Sequence, residues 1–225
     1  MKYKTILWDI DGTLLNFEKS EEVALNKCLE KYDVSISEEE YKIYKDINTQ
    51  CWKNIEKDHT RRNELMAKRF DDFFDYIHCN ADGVIFNKEY QEALGTYYYL
   101  NEGALEVIKT LKTTCKQYAA SNGSLVAQIG KLKGTGLYDL FDDLFISENI
   151  GYEKPDLSFF NYIKEKIDYD PESTIIIGDS LTSDIKGGIN AGIDTCFYNP
   201  YKQKNTSLKA TYEIHDLYEV LNIIK

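Results

Sequence analysis

The sequence predicts an α/β fold, namely a doubly wound parallel sheet with an all-helical domain inserted after the first strand. After residue 100, short apolar runs alternate with helical patterns, which is typical of a parallel sheet covered on both faces. Before that point, the first apolar run is followed by about 80 residues without a strand candidate, far beyond an ordinary loop. We therefore predict a core domain of residues 1–15 and 101–225 and a helical domain of residues 16–100.

The first strand and the helices of the insertion follow from local patterns. Residues 4–8 form an apolar, β-branched run that ends at a glycine-broken loop, which predicts a buried strand. Four helices are predicted next from the spacing of their apolar residues. Ser37 and Glu40 form the pattern of a capping box at the start of the second helix. Thr60 and Asn87 are expected to cap the third and fourth, the latter running through Tyr97–Tyr99.

The remainder of the chain alternates between strands and helices. Strands are predicted at Gln117–Ala120, Leu144–Ser147, Thr174–Ile177 and Thr195–Tyr198. A helix is expected over residues 102–113, and Pro155 is expected at the first position of a later one. Asp216 is expected to open a C-terminal helix. These alternating elements are the basis for the predicted parallel sheet.

Composition and charge exclude several classes of function. The 27 Lys and Arg residues are outnumbered by 38 Asp and Glu, and the formal net charge of −11 disfavours binding to nucleic acid polymers or anionic membranes. No apolar run approaches the roughly 20 residues of a membrane span. The five cysteines are scattered without a C-x-x-C pair, which indicates neither a disulfide scaffold nor a zinc site. We expect a cytoplasmic protein, monomeric or homodimeric, whose partner is a small molecule.

Polar side chains follow three of the predicted strands. They are Asp9 and Asp11, then Ser121 and Asn122, then Asp179, Ser183 and Asp184. Ligands of open α/β sheets bind in the crevice at the carboxyl ends of the strands. Helix capping would explain any one of these loops. Helix capping alone does not require an Asp-x-Asp motif or two aspartates five residues apart. We therefore predict that the three loops form one binding site.

Four stretches of this sequence resemble the ordered motifs of the haloacid dehalogenase (HAD) superfamily. They are Asp9-Ile10-Asp11-Gly12-Thr13-Leu14, Ser121-Asn122-Gly123, Lys154-Pro155 and Gly178-Asp179-Ser180-x-x-Ser183-Asp184. The resemblance covers essentially the whole chain and implies a Rossmann-like core. It also implies that the helical insertion is the cap of the subgroup that includes phosphoglycolate phosphatase, β-phosphoglucomutase and the dehalogenases.

Two shorter stretches are similar to bacterial pyrimidine 5′-nucleotidases. They are Gly187-Gly188-Ile189-Asn190-Ala191-Gly192 followed by Thr195-Cys196, and Tyr44-x-x-Ile47-Asn48-x-x-x-Trp52. This similarity implies hydrolysis of nucleoside 5′-monophosphates with a pyrimidine preference. Asn48 and Trp52 lie one helical turn apart, so an amide could pair with a uracil or thymine edge while an indole stacks on the ring. The alternative for Trp52 is packing within the insertion.

The two aspartates of the first motif suit phosphoryl transfer. Asp9 is predicted to be the nucleophile that forms an aspartyl phosphate. Asp11 is predicted to protonate the leaving oxygen and then to activate a water. Dehalogenases of the superfamily do not keep the second aspartate, because a halide leaves without a proton. The Asp-x-Asp motif therefore favours phosphoryl transfer over dehalogenation.

The resemblance implies Mg²⁺ as cofactor. Its ligands would be Asp9, the carbonyl of Asp11 and Asp179, with Asp184 orienting a metal-bound water. Phosphate oxygens would be bound by Lys154 and by Ser121 together with backbone N–H groups, those of Asn122 and Gly12.

Two alternatives to a nucleotidase stay open at this point. The substrate could be another small phosphomonoester, such as phosphoglycolate or a sugar phosphate, either hydrolysed or isomerised by a mutase. The chain could instead be a non-catalytic binding module of the same fold. The intact Asp9, Asp11, Lys154 and Asp179 count against the second alternative.

Overall fold

The computed structural model describes residues 2–204 and 208–224, and it confirms the predicted fold class. One parallel sheet has the strand order β3-β2-β1-β4-β5-β6. Its strands are β1 (Thr5–Trp8), β2 (Lys116–Ser121), β3 (Asp143–Ile146), β4 (Thr174–Gly178), β5 (Asp194–Tyr198) and β6 (Tyr212–Ile214). Because β1 pairs with both β2 and β4, the loops that follow these three strands meet at one edge of the sheet.

Helices flank the sheet and form the insertion. Between β1 and β2 the chain forms α1 (Phe17–Leu29), α2 (Glu38–Lys57), α3 (Arg62–Ile77), α4 (Gly83–Leu94) and α5 (Ala104–Leu111). The later helices are α6 (Leu125–Thr135), α7 (Ser147–Ile150), α8 (Leu157–Ile167), α9 (Lys186–Ala191) and α10 (Val220–Ile223). None of the described helices combines the length and the apolar character that crossing a bilayer requires.

Helices α1–α4 pack around a hydrophobic cluster that also includes Ala127 of α6. Aromatic rings dominate this cluster, including the stacked pair of Tyr44 and Phe70, whose centroids are 5.9 Å apart. The two segments that join the insertion to the sheet bond to each other, since Asn16 N–H donates to Tyr99 O at 2.8 Å and Asn101 N–H donates to Leu14 O at 2.9 Å. These contacts support our proposal that residues 16–100 form a cap domain on a core of residues 1–15 and 101–225.

Several predicted helix boundaries need correction. The capping box at Ser37 and Glu40 is confirmed, but Asp58, not Thr60, provides the side-chain cap before α3. Asp82 caps α4 in place of Asn87. In each case an aspartate lies before the residue that was expected to be the cap. Its carboxylate accepts a hydrogen bond from a backbone N–H, that of Thr60 for Asp58 and that of Ile85 for Asp82.

Three further differences concern helix extent and a missed strand. Tyr97–Tyr99 lie outside any helix, because α4 ends at Leu94 before Gly95. Pro155 precedes α8, whose cap is Asp156, so it is not the first helical residue. The short edge strand β6 was not predicted from the sequence. Asp216 does open the last helical segment, through a capping box with Glu219.

Candidate active site

The loops after β1, β2 and β4 face the cap helices across a cavity of about 260 Å³. Core residues of the predicted motifs lie along one wall, namely Asp9, Asp11, Ser121, Asn122, Asp179, Ser183 and Asp184. The structure therefore brings together the three polar loops that the sequence analysis singled out. Gly12 lines a second, adjoining cavity, and Lys154 is fully buried behind the carboxylates.

Asp9 lies directly after β1 and is almost completely buried. Its Oδ1 accepts a hydrogen bond from Lys154 Nζ at 2.7 Å. Its Oδ2 lies 3.1 Å from the hydroxyl of Thr13, which is also 3.1 Å from Asp179 Oδ1 and can donate its single hydrogen to one of the two at a time. Burial and the charge of Asp184 raise the pKa of Asp9 well above its ordinary value, against the opposing effect of Lys154.

Lys154 connects the three loops from below the cavity. Its ammonium donates to Asp9 Oδ1 and Asp184 Oδ1, both at 2.7 Å, and to the carbonyl of Ala120. Burial lowers the pKa of Lys154, but the charges of Asp184 and Asp9 outweigh burial and raise it above its ordinary value. The three donors of the Lys154 ammonium are all directed at protein atoms, and the phosphate contact expected for Lys154 stays a prediction.

Asp9, Asp179 and Asp184 form a cluster that fits a divalent cation. One carboxylate oxygen from each lies within 4.8 Å of the others. Lys154 neutralises one of these three carboxylates, so two negative charges remain in a cluster of which Asp9 and Asp184 are buried. Burial and the charge of Asp184 raise the pKa of Asp179 to about 7, which reflects this repulsion. Hard carboxylate oxygens are the ligands that Mg²⁺ prefers, so the residues present suit that ion.

Asp184 is completely buried, and both of its oxygens are engaged by protein donors. Oδ1 accepts from Lys154 Nζ, and Oδ2 accepts from the N–H of Ser180 at 3.0 Å. This arrangement is compatible with the predicted outer role of Asp184, in which it orients a ligand of the metal and does not bind the metal itself.

Gly12 permits the close approach of the loops after β1 and β4. Its φ is +90°, and a Cβ atom at this position would lie 2.3 Å from Asp179 Oδ2. Both the conformation and the space exclude a larger residue. Asn101 supports the same loop by donating to the carbonyl of Thr13 at 2.8 Å. The loop geometry therefore depends on the glycine of the first motif.

The Ser121-Asn122-Gly123 loop positions Lys154 as well as lining the cavity. Asn122 Nδ2 donates to the carbonyl of Lys154 at 2.7 Å, and Asn122 Oδ1 accepts from the N–H of Lys154 at 2.8 Å. Ser121 is buried, and its Oγ accepts from the N–H of Gly123 at 3.0 Å. The phosphate contacts predicted for Ser121 and for the N–H of Asn122 remain predictions.

The carboxylate of Asp11 lies against α6. Lys131 Nζ donates to Asp11 Oδ1 at 2.7 Å, and Gln128 Nε2 donates to Asp11 Oδ2 at 2.6 Å. Neither partner was found by the sequence analysis. A lysine and a glutamine three residues apart on a helix carry no signal in a single sequence that distinguishes a buried position from a solvated one.

The cap wall of the cavity includes Trp52 but not Asn48. The Asn48 side chain is buried between helices, where its Nδ2 donates to Glu21 Oε1 at 2.6 Å and its Oδ1 accepts from Arg69 Nη1. This corrects the expectation that the amide of Asn48 contacts substrate. Its role in the structure is to join Glu21, whose pKa is raised by burial to about 7, to Arg69.

Arg69 is a charged residue of the cap wall that was not predicted from the sequence. It lines the cavity although it is almost fully buried, and its Nη2 donates to Asn87 Oδ1 at 3.1 Å. Its guanidinium lies 5.3 Å from the ring centroid of Tyr90, another residue of the cavity wall. The Nε of Arg69 has no hydrogen-bond partner within the described part of the chain. Arg69 thus brings a positive charge to the cavity wall.

Arg62 connects α3 to the loop after β2 and to the segment that precedes Lys154. It forms a buried ion pair with Glu153, the neighbour of Lys154, and its Nη2 donates to the carbonyl of Asn122 at 2.9 Å. Its guanidinium also lies 5.2 Å from the ring centroid of Trp52. Trp52 is therefore held over the cavity by a residue that also contacts the core.

The comparisons with known proteins agree with this geometry. A family model for haloacid dehalogenase-like hydrolases matches residues 3–192. The pyrimidine 5′-nucleotidase PynA of Streptococcus pneumoniae is 36% identical over 100% of this chain and 96% of its own length. The pyrimidine 5′-nucleotidase YjjG of Escherichia coli is 27% identical over 100% of this chain and 99% of its own length.

A solved structure matches the whole fold. The crystal structure of the HAD-hydrolase YfnB from Bacillus subtilis, bound to magnesium, superimposes with a TM-score of 0.94 at 36% sequence identity. The match covers 100% of both chains, so it includes the helical insertion as well as the sheet.

Proposed function

This chain belongs to the haloacid dehalogenase-like hydrolase family, and we propose that within it the protein is a Mg²⁺-dependent phosphatase of nucleoside 5′-monophosphates with a preference for pyrimidines. The observation that carries the proposal is the single cavity that joins the carboxylates of the core to an aromatic and cationic wall of the cap. The names of PynA and YjjG support the same substrate class.

The first chemical step is assigned to Asp9 and Asp11. Lys154 holds Asp9 Oδ1, which leaves Oδ2 to attack phosphorus. The new bond joins Asp9 to phosphorus while the bond from phosphorus to the ester oxygen breaks. The electron pair of that bond stays on the leaving oxygen, which takes a proton from Asp11. The products of this step are the free nucleoside and an aspartyl phosphate at Asp9.

The second step returns the enzyme to its starting state. Asp11, now ionised, takes a proton from a water that attacks phosphorus, and the bond between phosphorus and Asp9 breaks with its electron pair on the Asp9 carboxylate. Asp9 and Asp179 would hold Mg²⁺, with Asp184 beside them, and the ion when bound neutralises the charge of the phosphate oxygens. The magnesium in the YfnB crystal structure supports this choice of ion.

The cap wall is proposed to bind the part of the substrate beyond the phosphate. Trp52 can stack on a pyrimidine ring, and Arg69 can donate to a carbonyl oxygen of the base. Uracil and thymine each carry two such oxygens. Because the core loops meet only groups that all phosphomonoesters share, substrate choice must depend on this wall.

A phosphate-release panel tests the proposed function. The protein is assayed in Mg²⁺ with dUMP, dTMP, dCMP, dAMP, dGMP, phosphoglycolate and sugar phosphates. We expect the highest kcat/KM for the pyrimidine nucleotides. A clear preference for phosphoglycolate or a sugar phosphate would overturn the nucleotide assignment, and an isomerised product that forms without phosphate release would indicate a mutase.

Substitutions in the cap wall are expected to change substrate choice. Trp52→Ala or Arg69→Met should lower kcat/KM for dTMP by about tenfold or more, since stacking on one base contributes about 1–3 kcal/mol. The loss on p-nitrophenyl phosphate should be clearly smaller, because that substrate has no base. Arg61→Met is the matched control, since Arg61 is an exposed cap arginine paired with Glu64. Equal losses on both substrates would mean that the wall supports the cap and does not read the base.

A further inference from the structure

Two buried polar residues of α6 contact the carboxylate of Asp11. Lys131 Nζ lies 2.7 Å from Asp11 Oδ1 and 2.9 Å from Oδ2, and Gln128 Nε2 lies 2.6 Å from Oδ2. Lys131 is 1% exposed and Gln128 is 0% exposed, yet both line the cavity. Asp11 itself keeps 22% of its side chain exposed, so its free side faces the cavity.

The burial of Lys131 calls for an explanation beyond packing. Burying an ammonium is unfavourable unless it is paired, and a well-packed apolar side chain at such a position is often as stable or more so. The ammonium also lies 5.2 Å from the ring centroid of Phe17, at the start of the cap. Lys133, two residues along the same helix, shows the ordinary arrangement, because it is exposed and lies beside Tyr138.

The loop after β2 leaves room for the side chain of Gln128 to reach Asp11. A Cβ atom at Gly123 would lie 2.0 Å from Gln128 Nε2, the atom that donates to Asp11. Any side chain at Gly123 would therefore displace the amide from the Asp11 carboxylate. The glycine that follows Ser121-Asn122 thus makes room for a contact to the aspartate of a different loop.

We propose that Lys131 and Gln128 are positioning residues that fix the Asp11 carboxylate for proton transfer at the leaving oxygen. The proposal rests on the proposed phosphatase function. Together the two residues of α6 donate to both oxygens of the Asp11 carboxylate. Proton transfer needs the donor oxygen within hydrogen-bond reach of the leaving oxygen, so holding the carboxylate in one orientation accelerates that step. Neither Lys131 nor Gln128 exchanges a proton with substrate.

Leaving-group dependence distinguishes positioning from a structural role. A poor leaving group needs the proton of Asp11, whereas a good leaving group such as p-nitrophenolate needs it little. Removal of a positioning residue should therefore cost more as the leaving group becomes more basic. A defect in folding or in phosphate binding would lower turnover of all substrates by the same factor.

The experiment measures kcat for dTMP and for a series of substituted phenyl phosphates with Lys131→Met, Gln128→Leu and Lys131→Arg. General acid catalysis contributes about 10²–10⁴-fold, so we expect Lys131→Met to lower kcat for dTMP by about tenfold to a hundredfold. The loss of kcat that Lys131→Met causes on p-nitrophenyl phosphate should be several times smaller. The kcat of this variant should therefore depend more steeply on leaving-group basicity than that of the wild type. Gln128→Leu should act in the same direction, and Lys131→Arg should recover part of the loss. Lys133→Met is the matched control and should match the wild type on every substrate.

A double-mutant cycle completes the test. Once Asp11→Asn has removed the acid, Lys131→Met should cause little further loss, because the two residues act in one step. Equal losses across the leaving-group series, additive losses in the cycle or a faster Lys131→Met variant would overturn the positioning role while the phosphatase assignment stands. A wild-type protein that hydrolyses no phosphomonoester in Mg²⁺ would overturn the proposed function, and the positioning role with it.

Discussion

Asp9→Asn is expected to lower turnover at least about a thousandfold on both dTMP and p-nitrophenyl phosphate. Asparagine keeps the shape of the side chain and an oxygen that can accept from Lys154 Nζ. It removes the carboxylate that we propose attacks phosphorus, and one negative charge of the cluster with Asp179 and Asp184. Good and poor leaving groups should be affected alike, because both require the nucleophile.

Steady-state phosphate release measures this effect. Asp139→Asn is the control, because it makes the same chemical change at an exposed aspartate that is not part of the cluster. The melting temperature of Asp9→Asn should be no lower than that of the wild type, since the substitution relieves repulsion in a buried cluster. Near-normal turnover of a folded Asp9→Asn protein would exclude the covalent route.

Removal of divalent metal is expected to abolish turnover reversibly. Lys154 balances only one of the three clustered carboxylates, so Asp9 and Asp179 repel each other, and a substrate phosphate would add to that repulsion. Activity should vanish in EDTA and return with Mg²⁺ or Mn²⁺. Ca²⁺ should bind without supporting turnover, because its looser coordination misplaces the nucleophile relative to phosphate.

A binding measurement separates metal affinity from catalysis. Mg²⁺ binds the folded state, so it should raise the melting temperature of the wild type as its concentration increases. The same titration of Asp179→Asn should give a much smaller rise. Full activity in chelator would contradict the metal-binding role proposed for Asp179. So would an Asp179→Asn variant whose melting temperature rises with Mg²⁺ as much as that of the wild type.

The sheet and its polar loops could be predicted because their signals are local and strong. Runs such as Thr174–Ile177 are unbroken β-branched or apolar stretches that end at a glycine, and the structure places β4 there. The strand order could not be predicted from the sequence. It is this order, with β1 between β2 and β4, that brings Ser121 and Asp179 to either side of Asp9.

The errors at helix starts arose because more than one nearby residue could serve as the N-cap. Thr60 and Asn87 are both good N-caps, but Asp58 and Asp82 precede them and take that role. The position of α4 depends on tertiary contact as well, because Gly83 packs against α3 so closely that a Cβ atom would lie 2.6 Å from the carbonyl of Ala67. Local preference cannot reveal such an approach.

The missed site residues are charged or polar side chains at buried positions. Lys131 and Arg69 resemble any other basic residue on an amphipathic helix, and only the folded chain shows that each lines the cavity. The error at Asn48 has the same cause. Its amide was expected to pair with a base edge, but the amide is buried and Glu21 and Arg69 are its partners.

Covalent phosphorylation of Asp9 is tested most directly by trapping the intermediate. p-Nitrophenyl phosphate carrying a radiolabelled phosphate is used, because its leaving group needs little protonation by Asp11. It is mixed with the protein in Mg²⁺ and quenched in acid within one turnover, and the labelled peptide is identified by mass spectrometry. We expect label on the peptide that contains Asp9 in the wild type, more of it in Asp11→Asn because hydrolysis of the intermediate is slowed, and none in Asp9→Asn. Turnover without label at Asp9 in either the wild type or Asp11→Asn would contradict the assignment of Asp9 as the nucleophile.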